Sequence, residues 1–116
     1  MIMSVTIYHN PRCSKSRETL QILRDHGGEP QIIEYLTSPP DAAALKNILS
    51  MLGMAPRELL RKKEAAEVGL DDVSLSNEHL ITQMVANPAV IERPIVVCNG
   101  KAKIGRPPES VLEILN

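Results

Sequence analysis

The sequence predicts an α/β fold: a mixed four-stranded sheet flanked by helices, with a helical insertion at about residues 41–87. Three observations predict it. Near the N-terminus a short alternating strand pattern leads into an amphipathic helix and then a second strand, a βαβ unit whose strands are parallel with a right-handed crossover. Near the C-terminus the apolar run Pro94-Ile95-Val96-Val97-Cys98 meets Asn99-Gly100, the strongest two-residue hairpin signal, and returns as Lys101–Gly105. Between these two units the patterns are helical.

In Ser4-Val5-Thr6-Ile7-Tyr8, Val5 and Ile7 alternate with polar positions, so the segment reads as a half-buried strand. A helical pattern starts at Cys13, carries Leu20, Ile22 and Leu23 on one face, and is closed by Gly27-Gly28. Gln31–Leu36 reads as the second strand. Ser38-Pro39-Pro40-Asp41 then resembles a helix start, with serine as N-cap, proline in the first turn and an acid three residues on. Leu45, Ile48, Leu49 and Leu52 follow at i, i+3, i+4 and i+7, and Gly53 ends that helix. Pro56 opens a short helix that carries Leu59, Leu60 and Arg61. Ser76 caps another, with Leu80, Ile81, Met84 and Val85 on one side, which stops at Asn87-Pro88. After the hairpin, Pro107-Pro108-Glu109 starts a last helix with Val111, Leu112, Ile114 and Leu115 turned inward. The order β-α-β, three helices, β-hairpin, α is the thioredoxin-like plan.

The length of 116 residues predicts one domain, 1–116. The apolar fraction of 43% suffices for a core, which must be aliphatic because the chain has no Phe, no Trp and two Tyr. That aromatic shortage, with a net charge of −1, argues against nucleic acid or an acidic membrane surface as partner. No segment has the roughly 20 apolar residues of a membrane span or the apolar core of a signal peptide. Two cysteines, Cys13 and Cys98, are too few for a disulfide scaffold, so the expected location is cytoplasmic, with Cys13 a thiol.

Chemistry concentrates in Tyr8–Arg17. A strand enters a proline turn, and one cysteine stands at the start of a helix. Helix N-termini carry N–H groups without intrahelical partners and a dipole that favours negative charge, so a thiol there ionises more easily than a free cysteine. Arg12, Lys15 and Arg17 act in the same direction, and such polar neighbours predict an accessible thiol. Ser16 occupies the position of the second cysteine of a Cys-x-x-Cys pair; it cannot form a disulfide, but its hydroxyl can donate to a thiolate. At strand rise Cys98 lies roughly 13 Å beyond Pro94, and a disulfide needs Cα atoms within about 7 Å; Cys98 therefore reads as a core or hairpin-end residue. Arg93 and Arg106 both precede prolines and flank the hairpin, which can bring them to the Cys13 end of the sheet; Arg61 ends the Leu59-Leu60 pair. Guanidinium forks suit tetrahedral oxyanions and lower the pKa of a nearby thiol. His9 either pairs with the thiolate, orients the loop, or is a turn residue. No Cys/His cluster has metal-ligand spacing, so no metal site is expected.

With Ile7-Tyr8-His9-Asn10-Pro11, Cys13-x-x-Ser16-Arg17, Leu59-Leu60-Arg61-Lys62, Arg93-Pro94-Ile95-Val96-Val97 and Arg106-Pro107 in place, the sequence resembles the glutaredoxin-coupled arsenate reductases of bacteria from Val5 to Leu115. The resemblance implies a thioredoxin-like arsenate reductase domain acting on arsenate, with Cys13 as nucleophile. Glutathione would be the co-substrate that attacks the thiol–arsenate adduct, and glutaredoxin the partner that removes it, with no bound cofactor. It further implies that Arg61, Arg93 and Arg106 hold the oxyanion, that His9 and Ser16 support the thiolate, and that Pro94 is the cis-proline facing the cysteine. Arg12 and Lys15 stand where smaller residues are common in that family. Two other functions fit the fold: a glutathione-dependent thiol/disulfide reductase, and a Spx-like regulator that binds RNA polymerase. Ser16 removes the Cys-x-x-Cys switch such regulators use.

Overall fold

A computed structural model describes residues 4–27 and 29–115. The chain divides into two units, Met1–Ser38 with Arg93–Asn116, and Pro39–Glu92. The second is a few residues wider at each end than the insertion expected at 41–87.

The first unit holds the sheet. Strands β1 (Val5–His9), β2 (Gln31–Glu34), β3 (Ile95–Cys98) and β4 (Lys101–Ile104) lie in the order β2-β1-β3-β4. β1 runs parallel to β2, with Ile7 opposite Ile32, and antiparallel to β3, with Ile7 opposite Val96. β3 and β4 form the hairpin expected at Asn99-Gly100; both turn residues have positive φ, 53° and 76°, which a type I′ turn demands. Helix α1 (Ser14–Gly27) crosses between β1 and β2. It begins one residue after Cys13, and Gly27 is still helical; Gly28, the other half of the expected stop, lies outside the described residues. β2 ends at Glu34 rather than Leu36, because the Glu34 carbonyl accepts from the main-chain N–H groups of Thr37 and Ser38, at 3.1 and 2.9 Å, and the chain turns there.

Ile7, Val96, Cys98 and Val111 are fully buried, with Leu20, Leu23, Ile114 and Leu115 packed on them. Cys98 is thus a core residue at the hairpin end, as its place in the strand predicts. The last segment, Pro108–Ile114, is a 3-10 helix rather than an α-helix. Three residues per turn put Val111 and Ile114 on one line. Leu112, expected inward, is turned out, 37% exposed.

The second unit is helical: α2 (Ala42–Leu52), a 3-10 turn (Pro56–Leu59), α3 (Lys62–Glu67), α4 (Asn77–Ala86) and a 3-10 turn (Pro88–Val90). Its buried side chains include Leu45, Ile48 and Leu49 of α2, Leu59 of the first 3-10 turn, Val90 of the second, and Leu80, Ile81 and Met84 of α4. Gly53 ends α2 at φ 68°, the left-handed C-cap conformation. α4 is capped by Ser76, whose Oγ accepts from the His79 N–H at 3.1 Å. α3 is not among the helices expected from the sequence, and the short helix expected to carry Leu59, Leu60 and Arg61 is a 3-10 turn that ends at Leu59. α3 follows a bridge between Leu60 and Ile91 that fixes its start.

The cap of α2 is Asp41, not Ser38: its carboxylate accepts from the Ala44 N–H at 2.8 Å. Pro39-Pro40 delays the helix, so the acid expected at the third position is itself the cap. Asp41→Ala is therefore expected to lower unfolding free energy by about 1 kcal/mol. Ser38→Ala should change it by less than about 0.5 kcal/mol. Urea unfolding of the two variants checks the assignment.

Among the described residues no helix is long and apolar enough to cross a membrane.

Candidate active site

The loop between β1 and α1 is held by its own polar groups. Asn10 and Pro11 begin a turn in which the Cys13 N–H donates to the Asn10 carbonyl at 3.0 Å, while the Arg12 N–H donates to Asn10 Oδ1 at 3.0 Å. Asparagine at the first position and proline at the second are the residues such a turn favours. Arg17, one turn into α1, donates from Nη1 to the Pro11 carbonyl at 3.0 Å and ties the loop to the helix. The Cys13 carbonyl accepts the Arg17 N–H at 3.0 Å, which places Cys13 in the capping position.

Cys13 is 9% exposed. An accessible thiol was expected from its neighbours, but Arg12, Ser14 and Lys15 send their own side chains to solvent. The thiol turns instead toward Arg106, whose Nη2 donates to Sγ at 3.7 Å. Burial pushes the Cys13 pKa up, yet the net direction is down. The Ser16 backbone N–H, the Arg93 charge, the Lys15 backbone N–H and the Arg106 charge together outweigh the burial. The charges that act are thus Arg93 and Arg106, not the adjacent Arg12, Lys15 and Arg17; Lys15 is ion-paired to Glu18 at 3.8 Å.

Ser16 is fully buried, and it serves the thiol through its main chain. The hydroxyl, expected to donate to the thiolate, is engaged elsewhere: Oγ lies 2.6 Å from His9 Nδ1 and accepts from the Asn10 N–H at 3.0 Å. A hydroxyl has one proton and two lone pairs, and these two contacts use a lone pair and one of the remaining sites. His9, itself buried, therefore anchors the loop to α1. Its pKa is lowered by burial, aided by the charges of Arg24 and Arg17 and opposed by Glu34, so its neutral form is favoured.

Arg93 and Arg106 bracket the hairpin and are joined to each other, Arg106 Nε donating to the Arg93 carbonyl at 2.8 Å. Both arginines precede cis-prolines, Pro94 and Pro107. Pro94 accepts the Gly105 N–H at 3.0 Å on its carbonyl. The first unit thus brings Cys13, Arg93 and Arg106 together, with His9 and Ser16 bonded behind them. Arg61 stands in the second unit, at the start of α3; its N–H donates to the Val90 carbonyl at 2.8 Å, and Nη2 pairs with Glu64 at 2.8 Å.

Thr19 and Gly105 were missed as contributors. Thr19 is fully buried and donates from Oγ1 to the Lys15 carbonyl at 2.7 Å. A Cβ at Gly105 would run into Thr19 Oγ1 and come within 2.9 Å of Pro94 Cγ. The only sequence signal was a glycine directly before Arg106-Pro107. Because a proline ring and a hydrogen-bonded threonine give way reluctantly, Gly105→Ala is expected to cost about 1–3 kcal/mol. A lower thermal midpoint together with slower Cys13 alkylation at neutral pH would register both the crowding and the displaced arginine.

A buried, ionisable cysteine at a helix N-terminus, faced by two guanidinium groups on a thioredoxin-like sheet, defines the class: a protein built around an activated thiol. The ArsC family model matches residues 8–114, and the chain belongs to the ArsC family. It is 59% identical to the uncharacterized protein YfgD of Escherichia coli K12, over 99% of each chain. It is 47% identical to the arsenate reductase of Haemophilus influenzae, over 97% of this chain and 100% of that one. The solved arsenate reductase from Vibrio cholerae superposes with a TM-score of 0.94 at 50% identity, covering 98% of this chain and 99% of the other.

Proposed function

We propose that this protein is an arsenate reductase of the cytoplasm, a single catalytic domain over 1–116 that uses glutathione as co-substrate and glutaredoxin as partner. The observation that carries the reading is the Cys13–Arg106 contact at 3.7 Å with Arg93 joined to Arg106. A thiolate is itself an anion, so two cations beside it serve the thiolate and also an incoming oxyanion that must approach it. Family membership supports arsenate as that oxyanion.

In this reading Cys13 Sγ attacks arsenic, an As–S bond forms, and one arsenate oxygen leaves as water after protonation. Glutathione then adds to arsenic with loss of a second hydroxyl as water. The glutaredoxin thiolate attacks the glutathione sulfur; the As–SG bond breaks, and its electron pair stays on arsenic, which becomes trivalent. Glutathione and glutaredoxin leave as a mixed disulfide. Water displaces Cys13 from arsenic, which releases arsenite and returns the thiolate. The two electrons come from the two external thiols, consistent with Ser16 in place of a second cysteine. Arg93 and Arg106 bind the oxyanion. Guanidinium groups suit this step because they stay charged when desolvated. His9 and Ser16 hold the Asn10–Cys13 turn so that the Ser16 and Lys15 N–H groups remain aimed at sulfur, and Pro94 shapes the facing backbone.

The test is a coupled assay with arsenate, glutathione and glutaredoxin. Arsenite should appear with all three and stop when either thiol is left out. A wild-type protein that forms no arsenite above the protein-free control sinks the reading.

A further inference from the structure

Beside the Asn10–Cys13 turn is a cleft of about 240 Å³ that takes no part in the chemistry above. One wall is His9, Asn10, Pro11 and Arg12; the other is Glu34, Leu36 and Thr37. Both walls are fixed by hydrogen bonds to the main chain. The first is the Asn10 turn clamped by Arg17. The second is the turn at the end of β2, where the Glu34 carbonyl accepts from the main-chain N–H groups of Thr37 and Ser38 and from Thr37 Oγ1. The cleft is therefore formed before any ligand arrives.

Its chemistry differs from that of the Arg93–Arg106 side. One cation, Arg12, and one anion, Glu34, line the same small space, and both are exposed. Among the described residues neither is held in an ion pair. Leu36, a large apolar side chain that is 42% exposed, and Pro11 supply apolar surface in the lining. An inorganic oxyanion gains nothing from Glu34. A group that carries a carboxylate and an ammonium on one carbon gains from both walls, and a short methylene stem can rest on Leu36 and Pro11. That group is an amino-acid headgroup.

We propose that this cleft is the docking subsite for the γ-glutamyl headgroup of the thiol co-substrate, with Arg12 taking its carboxylate and Glu34 its ammonium. The proposal rests on the reading of the protein as glutathione-dependent. Arg12 is covalently next to Cys13, and an extended tripeptide spans roughly 10 Å. The proposal requires that a headgroup seated in the cleft leave its thiol at the arsenic bound to Cys13. The subsite would give Arg12 a use.

S-methylglutathione keeps the headgroup but cannot react, so it serves as the probe. In an amide-resolved NMR titration of the wild-type protein without arsenate, shifts are expected at residues 10–12 and 34–37. Arg12→Ala and Glu34→Gln should each weaken binding by about tenfold, the loss of one charge-assisted contact. Both side chains are exposed, so these variants should fold as wild type does. In the coupled assay the same variants should raise the KM for glutathione by a similar factor and leave the KM for arsenate unchanged. Shifts confined to residues 93–106, or tight binding retained in Glu34→Gln, would overturn the proposal. So would a cleft that ignores the probe and is perturbed only by a protein thiol partner. Mapped binding in a protein that makes no arsenite would remove the functional reading and keep the subsite. Arsenite production without mapped binding would do the reverse.

Discussion

Cys13→Ser is expected to abolish arsenite formation in the coupled assay, a loss on the order of 10⁴-fold or more, as when other enzymes lose their nucleophile. The fold should survive. Serine is among the preferred N-cap residues, so its Oγ can accept the Ser16 and Lys15 N–H groups that now face sulfur. Thermal unfolding of the variant should match wild type within about 0.5 kcal/mol. A large activity loss without a stability loss would assign the effect to the missing thiolate. In wild type the thiolate itself can be titrated by the pH dependence of iodoacetamide alkylation. Because the Cys13 pKa is lowered, the ionised, reactive form persists to lower pH than in a free cysteine. The alkylation rate should climb with pH to a midpoint below the ordinary value of about 8.5, then level off. A midpoint at or above that value would remove the case for activation by the helix terminus and the arginines.

Arg106→Ala should cost about 10²-fold in kcat/KM for arsenate, comparable to the removal of one well-placed oxyanion donor. It should also move the alkylation midpoint upward, since one of the charges that lower the Cys13 pKa is gone. Arg106→Lys separates the two roles. An ammonium restores a positive charge, so the midpoint should fall part of the way back. It cannot donate at once to the Arg93 carbonyl and to sulfur in the geometry of Nε and Nη2. Turnover should therefore remain low. If lysine restored the rate fully, the fork geometry would be irrelevant and charge alone would suffice.

Most of the fold was legible because its signals are local. The βαβ order, the Asn99-Gly100 turn and the helix carrying Leu45, Ile48 and Leu49 each announce themselves within a dozen residues. The discrepancies arise where two local rules compete or where the deciding atom lies far along the chain. Ser38 and Asp41 are both good caps, and which one wins depends on how far Pro39-Pro40 carries the chain before it can coil. Leu112 was placed inward by assuming 3.6 residues per turn in a segment that has three. At the site, sequence showed that Cys13 and Ser16 belong together but not which Ser16 atom acts. The hydroxyl is drawn away by His9, seven residues back, and the main-chain N–H is left for sulfur. Gly105 could not be recognised at all, because Thr19 and Pro94 meet it only in the folded chain.

The bond from Arg106 Nε to the Arg93 carbonyl has a thermodynamic consequence for binding. An arginine that waves freely in solvent loses up to roughly 2 kcal/mol of rotamer entropy when a ligand immobilises it. Here one edge of the guanidinium is already fastened to the main chain of Arg93, just ahead of β3, so that ordering is completed during folding and need not be repeated at each encounter. An anion arriving at this site meets a receptor that is already still, and more of the gross attraction survives as affinity.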